Sequence, residues 1–553
     1  MDLTFAKGVF TIPNPIAEFR SLLGSVPNSR WDSSKIAWVY SSSAEAKKLL
    51  LLFCENGLLK PTQDAKNELI EMRDQIQLQN SVRGIKQERS VEVEVPLKVE
   101  LFQHQKKAYK IGITLSRLGL LMEQGTGKTL SSLAIAGYRY NRGEVKRLLI
   151  VAPKSTLRGW EEEITNFVDY PVEVINLGNS KGKKKIQLIK QTSGDNRALK
   201  IILINYESVW RIYPEIEEWS PDMIIADEMQ KIKNPRAKQS RAMHKLGDQV
   251  RYKQGLTGTP VSQGPLDIWS QYRFLDPDIF GKKFYEFRDR YAVMGGFKGH
   301  RVVKFQNLDE LSMKAHSIAY RVRKQDTDID LPPITNQYLY CTLGNEANKY
   351  YREMKKEFTV TLNENKGNAH APIVLTQLLR LQQITGGFLP VEEGKIVQVD
   401  SSKLNLLTEV VSDLPLDKKL VIFARFLPEI EAIKEEVTKL GRKLVTLTGK
   451  TKNRGEVISN FQKDPKLTVM VAQIQTGGVG LNLQVADTVI FYSTNFSYID
   501  YDQAKARIHR IGQVSSSVTY IHLVSERTVD EQIFEALDNK KDVADYIVDH
   551  IQK

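Results

Sequence analysis

Short, unbroken apolar runs, each followed by a segment with helical spacing, recur along this chain and fix its fold class. They lie at 148–152, 201–205, 223–226, 420–423, 469–472 and 489–492. A strand buried on both faces reads as such a run, and parallel strands need a long crossover between them, usually a helix. The alternation therefore predicts an α/β chain with parallel sheets. The runs form two groups, so two lobes are expected, at 98–275 and 400–527. A largely helical, charged stretch at 276–399 separates them, with a break at Leu331-Pro332-Pro333, and helices close the chain at 528–553. Ahead of the lobes, 1–62 reads as a small α+β unit with strands near 9–12 and 35–40. A polar helix or linker at 63–97 follows it.

Gly125-Thr126-Gly127-Lys128-Thr129 stands just after the apolar run 118–122 and opens a helix. A glycine-rich strand-to-helix turn exposes backbone N–H groups that can wrap phosphate oxygens at the positive helix end. Lys128 is placed to reach the β- and γ-phosphates, and the Thr129 hydroxyl to bind Mg²⁺. The strict pattern asks for glycine at 122, where this chain has Met122. Gly-Lys-Thr also occurs at ordinary helix caps, and the strand–helix setting is what favours phosphate. The run at 223–226 ends in Asp227-Glu228. An acid at a buried strand end facing a phosphate loop is where Mg²⁺ needs a carboxylate, and its neighbour can orient and deprotonate an attacking water. The two motifs together point to ATP or GTP hydrolysis.

Lys and Arg outnumber Asp and Glu by 79 to 66, a formal charge of +13. Such an excess favours a polyanionic partner, nucleic acid before an anionic membrane, against the plainer reading of a solubilising surface. Cys54 and Cys341 are the only cysteines, which excludes a disulfide framework and a cysteine-rich zinc site. The start, Met1-Asp2-Leu3-Thr4, lacks signal-peptide character, and no apolar run is long enough to cross a bilayer. A cytoplasmic protein is expected, nuclear in a host with a nucleus.

In the second lobe, Gln503, Arg507 and Arg510 stand at i, i+4 and i+7, one face of a continuous helix. Arginines in a lobe apart from the phosphate loop suit the role of arginine fingers, which act on the transferring phosphoryl when lobes close. A solvated basic helix face is the alternative.

Leu101-Phe102-Gln103-His104-Gln105, the segment 123–129, Val151-Ala152-Pro153-Lys154, Asp227-Glu228, Leu256-Thr257-Gly258-Thr259-Pro260, the segment 476–483 and the segment 503–513 stand in this order. The set resembles the superfamily 2 helicase motifs over about 98–545, and His509-Arg510-Ile511-Gly512-Gln513 looks like the Swi/Snf-type branch. The resemblance implies two RecA-like lobes with helical insertions, ATP and Mg²⁺ as cofactors, and movement on double-stranded or branched DNA by a monomer. It implies a nucleotide-binding set of Gln105 (on adenine), Glu123, Gly125, Thr126, Gly127, Lys128, Thr129, Asp227, Gly478, Gly480 and Gln503, with Thr129 and Asp227 on the metal. Lys128, Glu228, Arg507 and Arg510 become the catalytic residues, and Thr257 and Thr259 link hydrolysis to lobe movement. Lys154, Tyr206, Thr448 and Thr476 become candidates along the phosphate track. The family commonly has Asp-Glu-Ala-His where this chain has Asp227-Glu228-Met229-Gln230, which bears on coupling to DNA. The insertions are short, which suits a compact phage or bacterial motor.

Phe10, Phe19-Arg20, Val26-Pro27, Arg30-Trp31-Asp32, Lys35 and Trp38 look like the HARP-type domain of annealing helicases, which implies sensing of forks or junctions. Trp31 and Trp38 read equally well as the core of a small domain. The competing functions are an RNA or single-strand unwinding helicase, the motor subunit of a restriction-type complex, and a nucleic-acid-binding scaffold with a degenerate ATP site.

Overall fold

In the first 91 residues, which form one compact unit, alternating apolar positions make a sheet that needs helices on one face. Five strands, β1 (Asp2–Ala6), β2 (Val9–Pro13), β3 (Ser29–Asp32), β4 (Ala37–Ser41) and β5 (Lys60–Pro61), lie in the order β3-β4-β2-β1-β5. Neighbours are antiparallel except β1 and β5. Phe10, Ile12 and Tyr40 from the strands meet Leu50 and Phe53 of helix Ala44–Glu55 and Leu69 of helix Gln63–Gln87. This last helix falls where the sequence reads a polar helix or linker at 63–97, and it is not wholly exposed, since Ala65 and Leu69 pack into the core of this unit.

This computed structural model describes all residues except 28, 42–43, 181, 192–196, 262–263, 297–300, 330, 365–370, 391–394, 478–481, 511 and 550–553. Residues 92–553 form the second unit, which holds two wholly parallel sheets. The first contains β6 (Arg117–Met122), β7 (Arg147–Ala152), β8 (Val172–Asn176), β9 (Leu199–Asn205), β10 (Met223–Asp227) and β11 (Tyr252–Leu256). After a small hairpin of β12 (Ala292–Gly295) and β13 (Arg301–Phe305), β14 (Ala319–Val322) joins the same sheet, in the order β14-β6-β11-β10-β7-β9-β8. The second contains β15 (Ile334–Cys341) and, beyond the hairpin of β16 (Phe388–Pro390) and β17 (Ile396–Gln398), β18 (Leu420–Ala424), β19 (Lys443–Leu447), β20 (Leu467–Gln473), β21 (Thr488–Phe491) and β22 (Val518–Ser525). Its order is β15-β22-β21-β18-β20-β19.

All seven residues of β9 and all five of β18 are buried. Each large aliphatic side chain taken fully from water contributes about 1.5–3 kcal/mol, which is why these runs are the most regular part of the chain. The stretch 276–399 contributes more than helices: β14 and β15 complete one sheet each. β11 was not visible as an apolar run because Lys253 and Gln254 lie inside it, both buried. Lys253 tolerates this by donating to the Gly247 carbonyl at 2.6 Å, at the end of helix Lys238–Gln249. Among the described residues no helix is long and apolar enough to cross a membrane.

Candidate nucleotide site between the lobes

At the end of β6 the chain turns through residues 123–127 into helix Lys128–Asn141, with Gly125 and Gly127 at φ of +85° and +81°. Only glycine adopts that region without strain. Gly127 is doubly constrained, since a Cβ there would lie 1.8 Å from Gln105 Nε2. Gln105 Nε2 donates to the Thr126 carbonyl at 3.2 Å, its Oε1 accepts from the Phe102 N–H at 3.0 Å, and His104 Nε2 lies 2.8 Å from the same Thr126 carbonyl. Gln105 thus braces the loop in this structure. Lys128 Nζ donates to the Met122 and Glu123 carbonyls at 2.7 and 3.1 Å, which holds the ammonium over the loop. Burial lowers its pKa, while Glu228 and Asp227 act to raise it.

Two strands away, β10 ends in the acidic pair. Asp227 Oδ2 accepts from Trp160 Nε1 at 3.0 Å and Oδ1 from the Glu228 N–H at 3.0 Å, while its carbonyl accepts from the Tyr206 hydroxyl at 2.7 Å. Burial, reinforced by the neighbouring Glu228 charge, pushes the Asp227 carboxyl up to about 6. Glu228 is in the left-handed region at φ +52°, which turns its side chain away from the strand direction, and Gln230 Nε2 donates to it at 2.5 Å. Gln230, which replaces the family's usual histidine, therefore holds the proposed base.

Helix Leu157–Phe167 brings two residues that the sequence reading passed over. Trp160 caps Asp227, and Glu163 hydrogen-bonds the Thr129 hydroxyl. Burial pushes the Glu163 carboxyl up to about 7, with Arg510 acting the other way. The available signal was their i, i+3 spacing, which puts both on one helix face; three consecutive glutamates concealed it. Thr129, Asp227, Glu163 and Glu228 offer hydroxyl and carboxylate oxygens, the donor chemistry of Mg²⁺. Among the described residues no group of three His, Cys, Asp or Glu side chains forms a ready metal cage.

The second lobe contributes from the opposite side, with one correction to the sequence reading. The helix carrying Gln503 runs Tyr498–Lys505 and stops, so Gln503, Arg507 and Arg510 do not share one continuous helix face. The regular ladder is lost beyond Ala506: the Arg507 N–H turns to the Ala504 carbonyl at 3.3 Å and the Arg510 N–H to that of Ile508 at 3.1 Å, while the Leu483 N–H and Lys324 Nζ tie down the Arg507 and His509 carbonyls at 3.0 and 2.5 Å. The turn nevertheless aims both arginines at the first lobe. Arg507 is buried enough that its pKa falls to about 10, and Glu228 and Asp227 are the acids that act on it; it stays charged at neutral pH. A Cβ on Gly125 would lie 3.2 Å from Arg510 Cβ, and the buried Nε of Arg510 has no hydrogen-bond partner among the described residues. Lys324 ties the halves together, since its N–H donates to Glu123 Oε2 at 2.9 Å while its ammonium holds the finger turn.

The structure thus gathers Gln105, Glu123, Gly125, Thr126, Gly127, Lys128, Thr129, Asp227, Glu228, Arg507 and Arg510 around one cleft, with Gln503 buried behind the finger turn. Gly478 and Gly480 lie outside the described residues, as does the side chain of Thr476. Lys154 is exposed beyond β7 and Thr448 partly exposed beyond β19. Tyr206 is corrected as a surface contact: it is 1% exposed and its hydroxyl is spent on Asp227, so it supports the acidic strand end. In the adjacent motif the Thr259 N–H donates to Thr257 Oγ1 at 3.0 Å, and Arg321 reaches the Gly258 carbonyl at 3.5 Å.

A family model for the SNF2-related domain matches residues 34–386, and one for the helicase conserved C-terminal domain matches 402–512. An uncharacterized ATP-dependent helicase of Mycoplasma genitalium is 24% identical over 536 residues, covering 92% of this chain and 50% of that protein. The SWI/SNF chromatin-remodeling complex subunit snf22 of Schizosaccharomyces pombe is 27% identical over 444 residues, covering 76% of this chain and 26% of its own length. The SWI2/SNF2 ATPase core of Sulfolobus solfataricus, solved in complex with dsDNA, is 25% identical with a TM-score of 0.40, covering 83% of this chain and 95% of that one. The chain spans half or less of the length of these two curated relatives. With its phosphate loop in one parallel sheet and its paired arginines in the next, the chain belongs to the SNF2-related family of helicase-type ATPases.

Proposed function

We propose that this chain hydrolyses ATP and uses the opening and closing of its two lobes to move along double-stranded DNA. The observation that carries the reading is the approach of Arg507 and Arg510, from the second lobe, to Asp227, Glu228, Glu163 and the phosphate loop of the first. Lys128 and the loop N–H groups bind the phosphates. Glu228, held by Gln230, orients water and takes its proton. Arg507 and Arg510 stabilise charge on the phosphoryl oxygens as the bond breaks, a contribution worth about 10³–10⁵ in rate for a finger of this kind. Thr129 and Asp227 would hold Mg²⁺, which neutralises phosphate charge. Since one site spans both lobes, closing it moves one lobe against the other, and a monomer suffices.

Duplex DNA as the track is supported by the excess of 13 positive charges, by the motif wording, and by relatives named as chromatin-remodelling subunits. In the N-terminal unit the Arg20 guanidinium lies 5.6 Å from the centre of the Trp31 ring, and Trp31 is 37% exposed. That pair suits phosphate contact and base stacking at a fork or junction, and we assign the unit to sensing branched DNA. The test is steady-state ATP hydrolysis with linear duplex, forked DNA, single strands, RNA and no nucleic acid, using Lys128→Ala as the blank. Stimulation by duplex or fork, absent in the variant, is expected. Stimulation by RNA or single strands alone would replace this reading with an unwinding helicase.

A further inference from the structure

The phosphate loop carries a buried amide that the chemistry above does not use. Gln124 is 7% exposed, and neither its Oε1 nor its Nε2 has a hydrogen-bond partner among the described residues. A side-chain amide brings two donors and an acceptor. Burying all of them unmet costs stability, so such a group calls for a reason other than packing. A second group of the same kind stands close by. Thr259 is 5% exposed, and its Oγ1 likewise lacks a partner among the described residues. The two segments meet at Gly258, where a Cβ would lie 3.3 Å from Gln124 N and 3.5 Å from Gln124 Cγ. Arg321 clamps the same seam, donating to the Leu121 carbonyl at 3.1 Å and to that of Gly258 at 3.5 Å. An amide and a hydroxyl, each able to donate and to accept, thus flank one close approach of the backbone without bonding to each other.

The surroundings of Gln124 supply the trigger. Just before it, Lys128 Nζ holds the Met122 and Glu123 carbonyls at 2.7 and 3.1 Å. Just after it, Gly125 turns at φ +85° against Arg510 of the finger segment. Phosphate oxygens are stronger acceptors for an ammonium than peptide carbonyls are. A bound nucleotide therefore draws Lys128 away from the two carbonyls that fix the backbone beside Gln124. We propose that Gln124 is a positioning residue that reports the nucleotide to segment 257–259: with nucleotide bound, its amide takes the Thr259 hydroxyl as partner. The proposal rests on the ATP reading above. Because Arg321 of β14 grips the Gly258 carbonyl, the shift passes to the strand that leads toward the second lobe. A bond made in only one of two states adds to the affinity of whatever ligand selects that state, so the pair should strengthen nucleotide binding and do nothing for the nucleotide-free fold.

The experiment is a double-mutant cycle on the full chain with Gln124→Met, Thr259→Val and the two together. Each substitution keeps the shape of its side chain and removes only the polar group. Two quantities are read: the affinity for the Mg²⁺ complex of a non-hydrolysable ATP analogue, by calorimetry, and the melting temperature of the nucleotide-free protein. One neutral hydrogen bond is worth about two- to tenfold in affinity. Each single variant should weaken analogue binding by about that factor, and the double variant should bind no more weakly than either single one, since both changes remove the same bond. Nucleotide-free Gln124→Met should melt no lower than wild type, because the amide it loses has no partner there. Unchanged analogue affinity in Gln124→Met overturns the proposal, as do losses that multiply in the double variant. A lower melting temperature in nucleotide-free Gln124→Met overturns it too, by showing the amide already engaged. Failure of the wild type to bind the analogue at all overturns the proposed function, and this link with it.

Discussion

Trp160 donates one hydrogen bond to one oxygen of a buried carboxylate, and Trp160→Phe removes that donor while keeping an aromatic ring. The bond is 3.0 Å long and Trp160 is 3% exposed, so water cannot readily replace it. A hydrogen bond to a charged acceptor is worth about 1.5–3 kcal/mol. At 1.36 kcal/mol per pKa unit, that is about one to two units. Burial and Glu228 already hold the Asp227 carboxyl up to about 6, so the variant should raise it further by that amount. The assay is the pH dependence of kcat/KM for ATP, which reports groups of the free enzyme. Wild type should lose activity as pH falls through about 6; the variant should lose it about one unit higher and recover most of its rate at pH near 9. An acid limb that stays in place while the plateau drops would show that Trp160 acts through packing alone, and would refute the assignment.

Gly127→Ala puts a Cβ 1.8 Å from Gln105 Nε2 at φ +81° and should abolish nucleotide binding in a titration. Gly8→Ala, at φ +78° with nothing within 4 Å, should cost only the backbone strain, about 1–2 kcal/mol. Lys403 and Asp530 form a pair 2% and 8% exposed, and Asp530 also accepts from Thr385 Oγ1 and the Ser525 N–H. Lys403→Met should therefore cost about 3–5 kcal/mol in urea unfolding by leaving Asp530 unpaired, and Lys403→Met with Asp530→Leu should recover much of it. An unchanged midpoint in the single variant would contradict this. His522 is fully buried, with Tyr501 and Gln337 on its ring nitrogens, and burial depresses it from 6.5 to about 4. The unfolded chain then binds the proton first, so this contribution is present above pH 6.5 and is lost as pH falls toward 4. The stability gap between wild type and His522→Gln should shrink by about 2 kcal/mol between pH 7 and 5; a constant gap would exclude the effect.

The parts legible in the sequence are those whose chemistry is local. The phosphate loop and Asp227-Glu228 each sit in one turn of chain beside an unbroken apolar strand, so spacing alone locates them. β11 escaped because Lys253 is satisfied by a helix end and so contradicts the apolar rule. The finger segment was readable as to residues but not as to conformation: Tyr520, Leu483 and Lys324, distant in sequence, tie down the Lys505, Arg507 and His509 carbonyls and hold the segment as an irregular turn. Trp160 and Glu163 acquire meaning only when the fold lays their helix across Asp227 and Thr129. Tyr206 shows the reverse error, since a residue placed by motif on a surface track proves to be an internal prop.

The most direct test of the central claim, an ATP site completed by the second lobe, is kcat for duplex-stimulated hydrolysis alongside ATP affinity in Arg507→Ala and Arg510→Ala. A loss of about 10³-fold or more in kcat, with ATP affinity changed far less, is the expected result. An unaltered kcat in both variants would contradict the account.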